Sequence, residues 1–177
     1  MAEFPSAGSQ DAGSNLFSLT QIRHLMRVEF SRAQRYSYAL TCLVISVDRL
    51  GHLRDLYGYD SKEAILEDLV ALLEEETRSC DFLGRLVDDR LMAVLPHTEA
   101  RGAKVTALRL LSGARALEFE ADGRPLQVSL SIGGCTFEAG NTLFFDALVE
   151  AAELALEEAS AEGGDRYIHR EPALRED

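Results

Sequence analysis

Nine consecutive residues, Ala39 to Val47 (ALTCLVISV), carry no charge, and they constrain the fold more than any other stretch. A strand with one wet face alternates apolar and polar residues. A run that is apolar on both faces belongs to a strand covered from both sides. The flanking segments supply the cover. From Leu16 to about Arg35, residues Leu16, Leu19, Ile22, Leu25, Met26 and Phe30 recur at helical spacing. After the run come a short helical piece around Leu50–Leu56 and a longer helix of about Lys62–Thr77. Asp60 or Ser61 is placed to cap the longer helix, and Glu63 and Glu67 sit near its positive end.

The second half repeats the alternation. Phe82–Leu86 and Leu91–Leu95 are short apolar runs around a polar hinge, Val87-Asp88-Asp89-Arg90, and read as a hairpin. Glu99–Leu117 puts Ala103, Ala107, Leu110, Leu111 and Ala114 on one helical face. Asp122-Gly123-Arg124-Pro125 reads as a turn, Leu126–Ile132 as a strand broken by Gly133-Gly134, Leu143–Ala161 as an amphipathic helix and Arg166–His169 as an edge strand. The fold class expected is α/β (α+β), with helices flanking one mixed, mostly antiparallel sheet. Residues 1–14, rich in Gly, Ser and Ala, read as a disordered leader, 15–170 as the domain and 171–177 as a tail.

Charge removes several function classes. The 177 residues have a net charge of -12, which argues against nucleic acid or an anionic membrane as the main partner. No apolar run reaches membrane-spanning length. Cys42, Cys80 and Cys135 are odd in number and have no metal-like spacing, so they read as reduced thiols of a cytoplasmic protein. His24, His52, His97 and His169 show no ligand spacing, and Glu74-Glu75-Glu76 reads as a solvated helix face. No cofactor or metal is implied.

Two motifs carry chemistry. Arg78-Ser79-Cys80-Asp81 places a guanidinium fork and a carboxylate between a helix end and a strand start. The fork can donate to a guanine edge or a phosphate, and the carboxylate can accept from guanine N–H groups. Taken alone, Arg78 is a helix C-terminal cation and Asp81 a strand-start cap. Val87-Asp88-Asp89-Arg90-Leu91 follows and, taken alone, is a charged hairpin tip.

The order of elements and a series of short matches resemble the GGDEF domain of bacterial diguanylate cyclases. Ser31-Arg32-Ala33-Gln34-Arg35-Tyr36 is similar to the family's R-A-x-R-Y segment, and Ser46-Val47-Asp48 falls on its D-x-D. Leu56-Tyr57-Gly58-Tyr59 falls on D-x-Y-G-H, and Arg85 to Leu91 on R-Y-G-G-D-E-F. Leu95-Pro96-His97-Thr98 falls on L-P-x-T, Val128 to Gly133 on V-T-x-S-I-G, and Ala151 to Asp165 on the late A-D-x-A-L-Y helix.

That resemblance implies a ruined catalytic site. Ser46 stands where the family has its first metal-binding Asp, and Asp48 survives at the second position. Val87 and Asp88 replace the two glycines, whose lack of side chains lets a nucleotide lie against the backbone. Asp89 remains, but Arg90 replaces the second acidic residue. Arg54 and Glu63 replace the guanine-contacting Asn and Asp. Ser160 and Gly164 replace the phosphate-binding Lys and Arg. The resemblance also implies a retained product-binding site. The family's inhibitory R-x-x-D falls on Arg78 and Asp81, its third arginine on Arg109, and the arginine lent by a neighbouring domain on Arg32.

The expectation is therefore a catalytically inactive signalling domain acting as a cyclic di-GMP receptor or effector. A ligand-promoted homodimer and a further protein partner are compatible with it. A nucleotide-independent interaction scaffold is the alternative. A GTP-binding domain or residual cyclase ranks behind both, because Ser46 and Arg90 weigh against it.

Overall fold

The computed structural model describes residues 16–138 and 140–173; the expected leader, 1–14, lies outside them, as do 174–177 of the expected tail. Helix α1 (Leu19–Tyr36) opens on a capping box, in which Ser18 Oγ accepts from the Gln21 amide and Gln21 Oε1 accepts from the Ser18 amide. Leu16 and Phe17 precede that cap instead of joining the helix. Phe17 forms a bridge beside Gly84.

Strand β1 (Leu40–Val47) is the long apolar run, and Leu40, Leu43, Val44 and Ile45 are fully buried. Each such side chain contributes about 1.5–3 kcal/mol. Next come α2 (Leu50–Tyr57), α3 (Tyr59–Glu76), β2 (Phe82–Arg85), β3 (Leu91–Pro96) and α4 (Ala100–Ala116). Then follow β4 (Phe119–Ala121), β5 (Arg124–Leu126), β6 (Leu130–Phe137), α5 (Phe145–Ala161) and β7 (Arg166–His169).

The main sheet has the order β2-β3-β1-β6-β7. β1 is antiparallel to β3 and to β6, β2 is antiparallel to β3, and only β6 and β7 run parallel. α1 and α5 cover one face through Ile22, Met26, Phe30, Leu148, Ala152 and Leu156. α3 and α4 cover the other through Ile65, Leu69, Leu73, Ala107, Leu110 and Leu111. The expected fold class is the one observed.

Three expectations need correction. The pair Gly133-Gly134 does not break a strand: β6 runs through both. Gly133 is there because the backbone of α5 packs against it, and Gly134 because the Tyr167 ring and Leu43 crowd the space a Cβ would fill. A Cβ at Gly133 would lie 2.1 Å from the Ala152 carbonyl oxygen. Asp60 and Ser61 are not caps, since α3 starts at Tyr59 after Gly58, whose φ of 91° turns the chain. Arg124-Pro125 belongs to β5, and Asp122-Gly123 is the tip of a small β4–β5 hairpin that periodicity does not reveal in elements this short.

The register sets two functional ends. Ile45 pairs with Leu91 and Val47 with Leu130, so Asp48 and Asp89 lie at one end of the sheet. Leu40 pairs with Pro96 and Phe137, and Phe82 with Val94, so Arg78 and Asp81 lie at the other.

Candidate functional site

At the first end, the β2–β3 hairpin turns through Val87–Asp89, where Asp88 and Asp89 both adopt left-handed backbone, φ 59° and 60°. Aspartate tolerates that region better than most residues, so the turn survives without glycine. Val87 is 55% exposed. Asp89 is held by Lys62 Nζ at 2.8 Å and by Arg85 Nη2. Glu63 joins at 3.6 Å from Lys62 and 3.7 Å from Arg85. Partial burial pushes the Asp89 carboxyl up, but the hydrogen bonds and charges of Lys62 and Arg85 outweigh it and hold it below its usual range. The bond to Asp89 correspondingly raises the Lys62 ammonium. Arg90 turns away toward Glu153, 3.7 Å off, and the exposed Arg54 pairs, among the described residues, with Asp55 alone.

Asp48 is equally committed. Ser131 Oγ donates to its Oδ1 at 2.6 Å, while Ser129 Oγ at 2.6 Å and the Asp165 amide at 2.9 Å donate to Oδ2. It thereby ties the end of β1 to β6 and to the α5–β7 turn. Gly164 is required there, because a Cβ would come within 2.7 Å of the Asp48 carboxylate and φ is 75°. Ser46 makes one long bond, 3.5 Å, to the Val47 carbonyl. Ser160 lies exposed near the end of α5. These donors do not fit a divalent cation. The carboxylates are occupied by ammonium, guanidinium and hydroxyl groups, and no group of three His, Cys, Asp or Glu able to hold a metal occurs among the described residues.

At the opposite end, Arg78 and Asp81 meet. The Arg78 amide donates to Asp81 Oδ2 at 2.8 Å, and Arg78 Nη2 lies 3.4 Å from Oδ1. The same Nη2 donates to the Pro96 carbonyl at 2.8 Å and to Thr98 Oγ1 at 2.6 Å. The Asp81 side chain is only 3% exposed, whereas that of Arg78 is 55% exposed. Every side-chain bond of Arg78 therefore comes from one nitrogen. Its Nε and Nη1 donors have no partner among the described residues.

Arg109 lies on α4 beside an open groove of about 540 Å³, lined also by Glu76, Val105, Leu108, Ser112 and Gly113. Glu76 is two residues before Arg78, so the groove adjoins the Arg78 segment in the chain. Arg32 is exposed on α1, 3.7 Å from the buried Glu29.

Sequence reasoning missed two features of this end. Tyr38 donates to Glu29 Oε1 at 2.5 Å and stacks on His97, with ring centroids 3.8 Å apart. Burial and the bond to Glu29 push its phenol up. A polar chain also crosses the sheet: Thr41 Oγ1 donates to the Thr98 carbonyl at 2.8 Å and meets Thr136 Oγ1 at 2.8 Å, which meets His169 Nε2 at 3.1 Å. The one hydroxyl proton of Thr41 is committed to Thr98. Thr136 must then donate to Thr41, and His169 must present Nε2–H. The signal was Thr41 and Thr136, polar residues opposite each other in otherwise apolar strands. Cys42 and Cys135 also face each other there; burial pushes both thiols up, that of Cys135 to about 12.

The profile of the family described as "Diguanylate cyclase, GGDEF domain" matches residues 9–166. Diguanylate cyclase DgcP of Pseudomonas aeruginosa is 27% identical over 138 residues, which are 78% of this chain and 20% of that protein. Diguanylate cyclase A of Treponema denticola is 25% identical over 150 residues, 82% of this chain and 38% of that protein. The chain thus spans well under half the length of these relatives. Among solved structures, the FimX GGDEF domain of P. aeruginosa superposes with a TM-score of 0.84 at 23% identity, covering 93% of this chain and 100% of that one. The GGDEF domain of DgcB from Caulobacter crescentus, solved in complex with c-di-GMP, gives 0.83 at 14% identity, with 92% and 98% covered. Diguanylate cyclase SiaD of P. aeruginosa, solved with its activator SiaC, gives 0.83 at 25% identity, with 91% and 61% covered.

Proposed function

The chain belongs to the GGDEF-domain family of diguanylate cyclases, and from that premise we propose that it is an inactive member that works as a cyclic di-GMP receptor. The observation that carries the reading is the contrast in available valence. Asp48 already accepts three internal hydrogen bonds and Asp89 two, so a metal ion would have to compete with Lys62, Arg85, two serine hydroxyls and an amide. Arg78 is oriented by buried Asp81 and keeps Nε and Nη1 for a ligand. Cyclic di-GMP offers matching groups: guanine N7 and O6 acceptors and phosphates. Arg78 is the contact, Asp81 orients it, and Arg109 supplies a second cation. Arg32 from a second molecule completes the site, so ligand promotes dimers.

Calorimetry with cyclic di-GMP and, separately, GTP tests the reading. Heat with the first and none with GTP plus Mg²⁺ is expected, and no cyclic di-GMP forms from GTP with Mg²⁺ or Mn²⁺. Turnover abolished by Asp89→Ala would reinstate the cyclase reading. No heat with saturating cyclic di-GMP would leave the scaffold reading, for which the structure of SiaD with an activator protein is the precedent.

A further inference from the structure

Helix α4 turns one ordered face to solvent. Arg101, Val105, Leu108, Ser112 and Arg115 recur at spacings of four, three, four and three residues, and all are exposed. That is the spacing of a seam along which a second helix packs. At about 100° per residue, Val105, Leu108 and Ser112 fall within an arc of about 60°, and Arg101 lies inside it. Lys104 stands about 40° beyond Leu108 on one flank, and Arg109 about 40° beyond Val105 on the other. Val105 is 47% and Leu108 48% exposed, so the seam holds two aliphatic side chains in water between cations.

The charge of this face runs against that of the chain. α4 carries Arg101, Lys104, Arg109 and Arg115 and no acid, alone among the α-helices of the described residues, in a chain of net charge -12. Arg115 pairs with Asp165. Arg101, Lys104 and Arg109 make no ion pair among the described residues. An open groove of about 540 Å³ lies beside the seam, where Ser112 and Gly113 are small. A Cβ on Gly113 would come within 2.6 Å of Leu72, so α3 borders the seam on the Arg109 flank.

We propose that this outer face of α4 is a docking site for an acidic amphipathic helix of another protein. Val105 and Leu108 cover its aliphatic side chains, the groove receives a side chain that projects past them, and Arg101, Lys104 and Arg109 meet its carboxylates. The spacing selects a helix, and the unpaired cations select an acidic one. A second copy brought across a two-fold axis sets the same cations against each other. Nucleic acid meets the long-range repulsion of a -12 chain and leaves the two aliphatic side chains against phosphates. An anionic membrane calls for a broader apolar face with aromatic side chains, and α4 has none.

Fluorescence anisotropy with a labelled synthetic peptide of about 18 residues, roughly 27 Å as a helix, tests the proposal. The peptide carries Leu along one seam of the same spacing and Glu on both flanks. At about 0.1 M salt it should bind with a Kd on the order of 10–100 μM. Val105→Ser with Leu108→Ser should weaken binding roughly tenfold or more, and so should Arg101→Glu with Lys104→Glu. Arg23→Glu with Arg35→Glu makes the same charge change at exposed positions of α1 and should leave affinity within about twofold. Unchanged unfolding midpoints show that the variants fold. A peptide still unbound at on the order of 1 mM chain overturns the proposal. So does binding that survives both α4 variants, or an equal loss from the α1 and α4 reversals. Equal affinity for a peptide with Gln in place of Glu overturns it as well. Tighter binding to phosphatidylglycerol vesicles or duplex DNA than to the peptide, lost in the Arg101→Glu, Lys104→Glu variant, assigns the face to another polyanion and overturns it too. Arg109 is left unaltered and no readout uses cyclic di-GMP, so calorimetry decides the receptor reading separately.

Discussion

The two ends of the central sheet are both stitched by polar side chains, and they differ in what the stitches leave over. At the end that carries Asp48 and Asp89, carboxylates are the hubs. Asp48 accepts three donors and Asp89 two cations. At the opposite end the hub is a guanidinium. Arg78 spans Asp81, Pro96 and Thr98 from one nitrogen and keeps two others. A carboxylate filled by internal donors has become structure. A guanidinium has five N–H donors, so it can hold the fold and still bind. The two ends therefore differ in what they can still offer a ligand, and the difference follows from which charge type sits at each hub.

The largest effect should come from breaking the carboxylate hub. Asp48→Ala leaves two serine hydroxyls and an amide without an acceptor and unties β1, β6 and β7 at one point. Losses of about 1–3 kcal/mol are expected, measured by urea unfolding, because the Ser131 hydroxyl is buried while Ser129 is half-buried and the Asp165 amide exposed. A change below about 0.5 kcal/mol would show that water replaces the carboxylate and that Asp48 is not structural.

Arg78→Ala sharpens the comparison from the other side. Cyclic di-GMP affinity should fall roughly ten- to a hundredfold, the loss expected on removing one partner of a charge-assisted bond. Stability should fall by about 1–2 kcal/mol, since Thr98 Oγ1 loses its donor and the Pro96 carbonyl keeps only the bond from Thr98. Unchanged affinity with reduced stability would make Arg78 a purely structural residue, like Asp48.

The smallest effect concerns Asp89 and pH. Its folded-state pKa is depressed, so the stability it contributes is present above the unfolded carboxylate value of about 3.9 and is lost as pH falls through the lower folded value. Asp89→Asn should therefore destabilise at pH 7 and converge with the wild type in strong acid. The Lys62 pKa is raised, so the contribution from that partner persists to high pH and fades only as pH rises through its folded value. The Asp89 side chain is 24% exposed, so solvent screening should keep the effect to a fraction of that at Asp48. Unfolding curves for both proteins from pH 7 down to about 2 would show it, and parallel curves over that range would mean that the Lys62–Asp89–Arg85 cluster contributes nothing.

The elements legible in the sequence were those whose period their burial enforces. β1 was plain because both of its faces are covered, and α4 and α5 because each buries one stripe of Ala and Leu. Arg166–His169 was placed correctly as an edge strand. Illegible were the continuity of β6 through Gly133, which the backbone of α5 crowds, and Gly134, which Tyr167 and Leu43 crowd, and the short β4–β5 hairpin. For the candidate sites, sequence spacing singled out Arg78, Asp81, Arg109 and Arg32 but said nothing of their states. That Asp81 is buried and Arg78 half free, or that Asp89 is clasped by Lys62, depends on side chains 18 to 27 residues away.

The sequence alone determined which residue types stand at each position: a serine two residues before Asp48, an arginine and an aspartate three apart, arginines on the first helix and acids on the last. It determined the order along the chain of the five-stranded sheet's strands and of the long helices as well, because hydrophobic period is a local property. Only the tertiary structure decided which charges neutralise one another. Hydrogen bonds and ion pairs act over about 3–4 Å, and residues such as Asp48 and Asp165 come that close only once the strands are in register and the helices have packed.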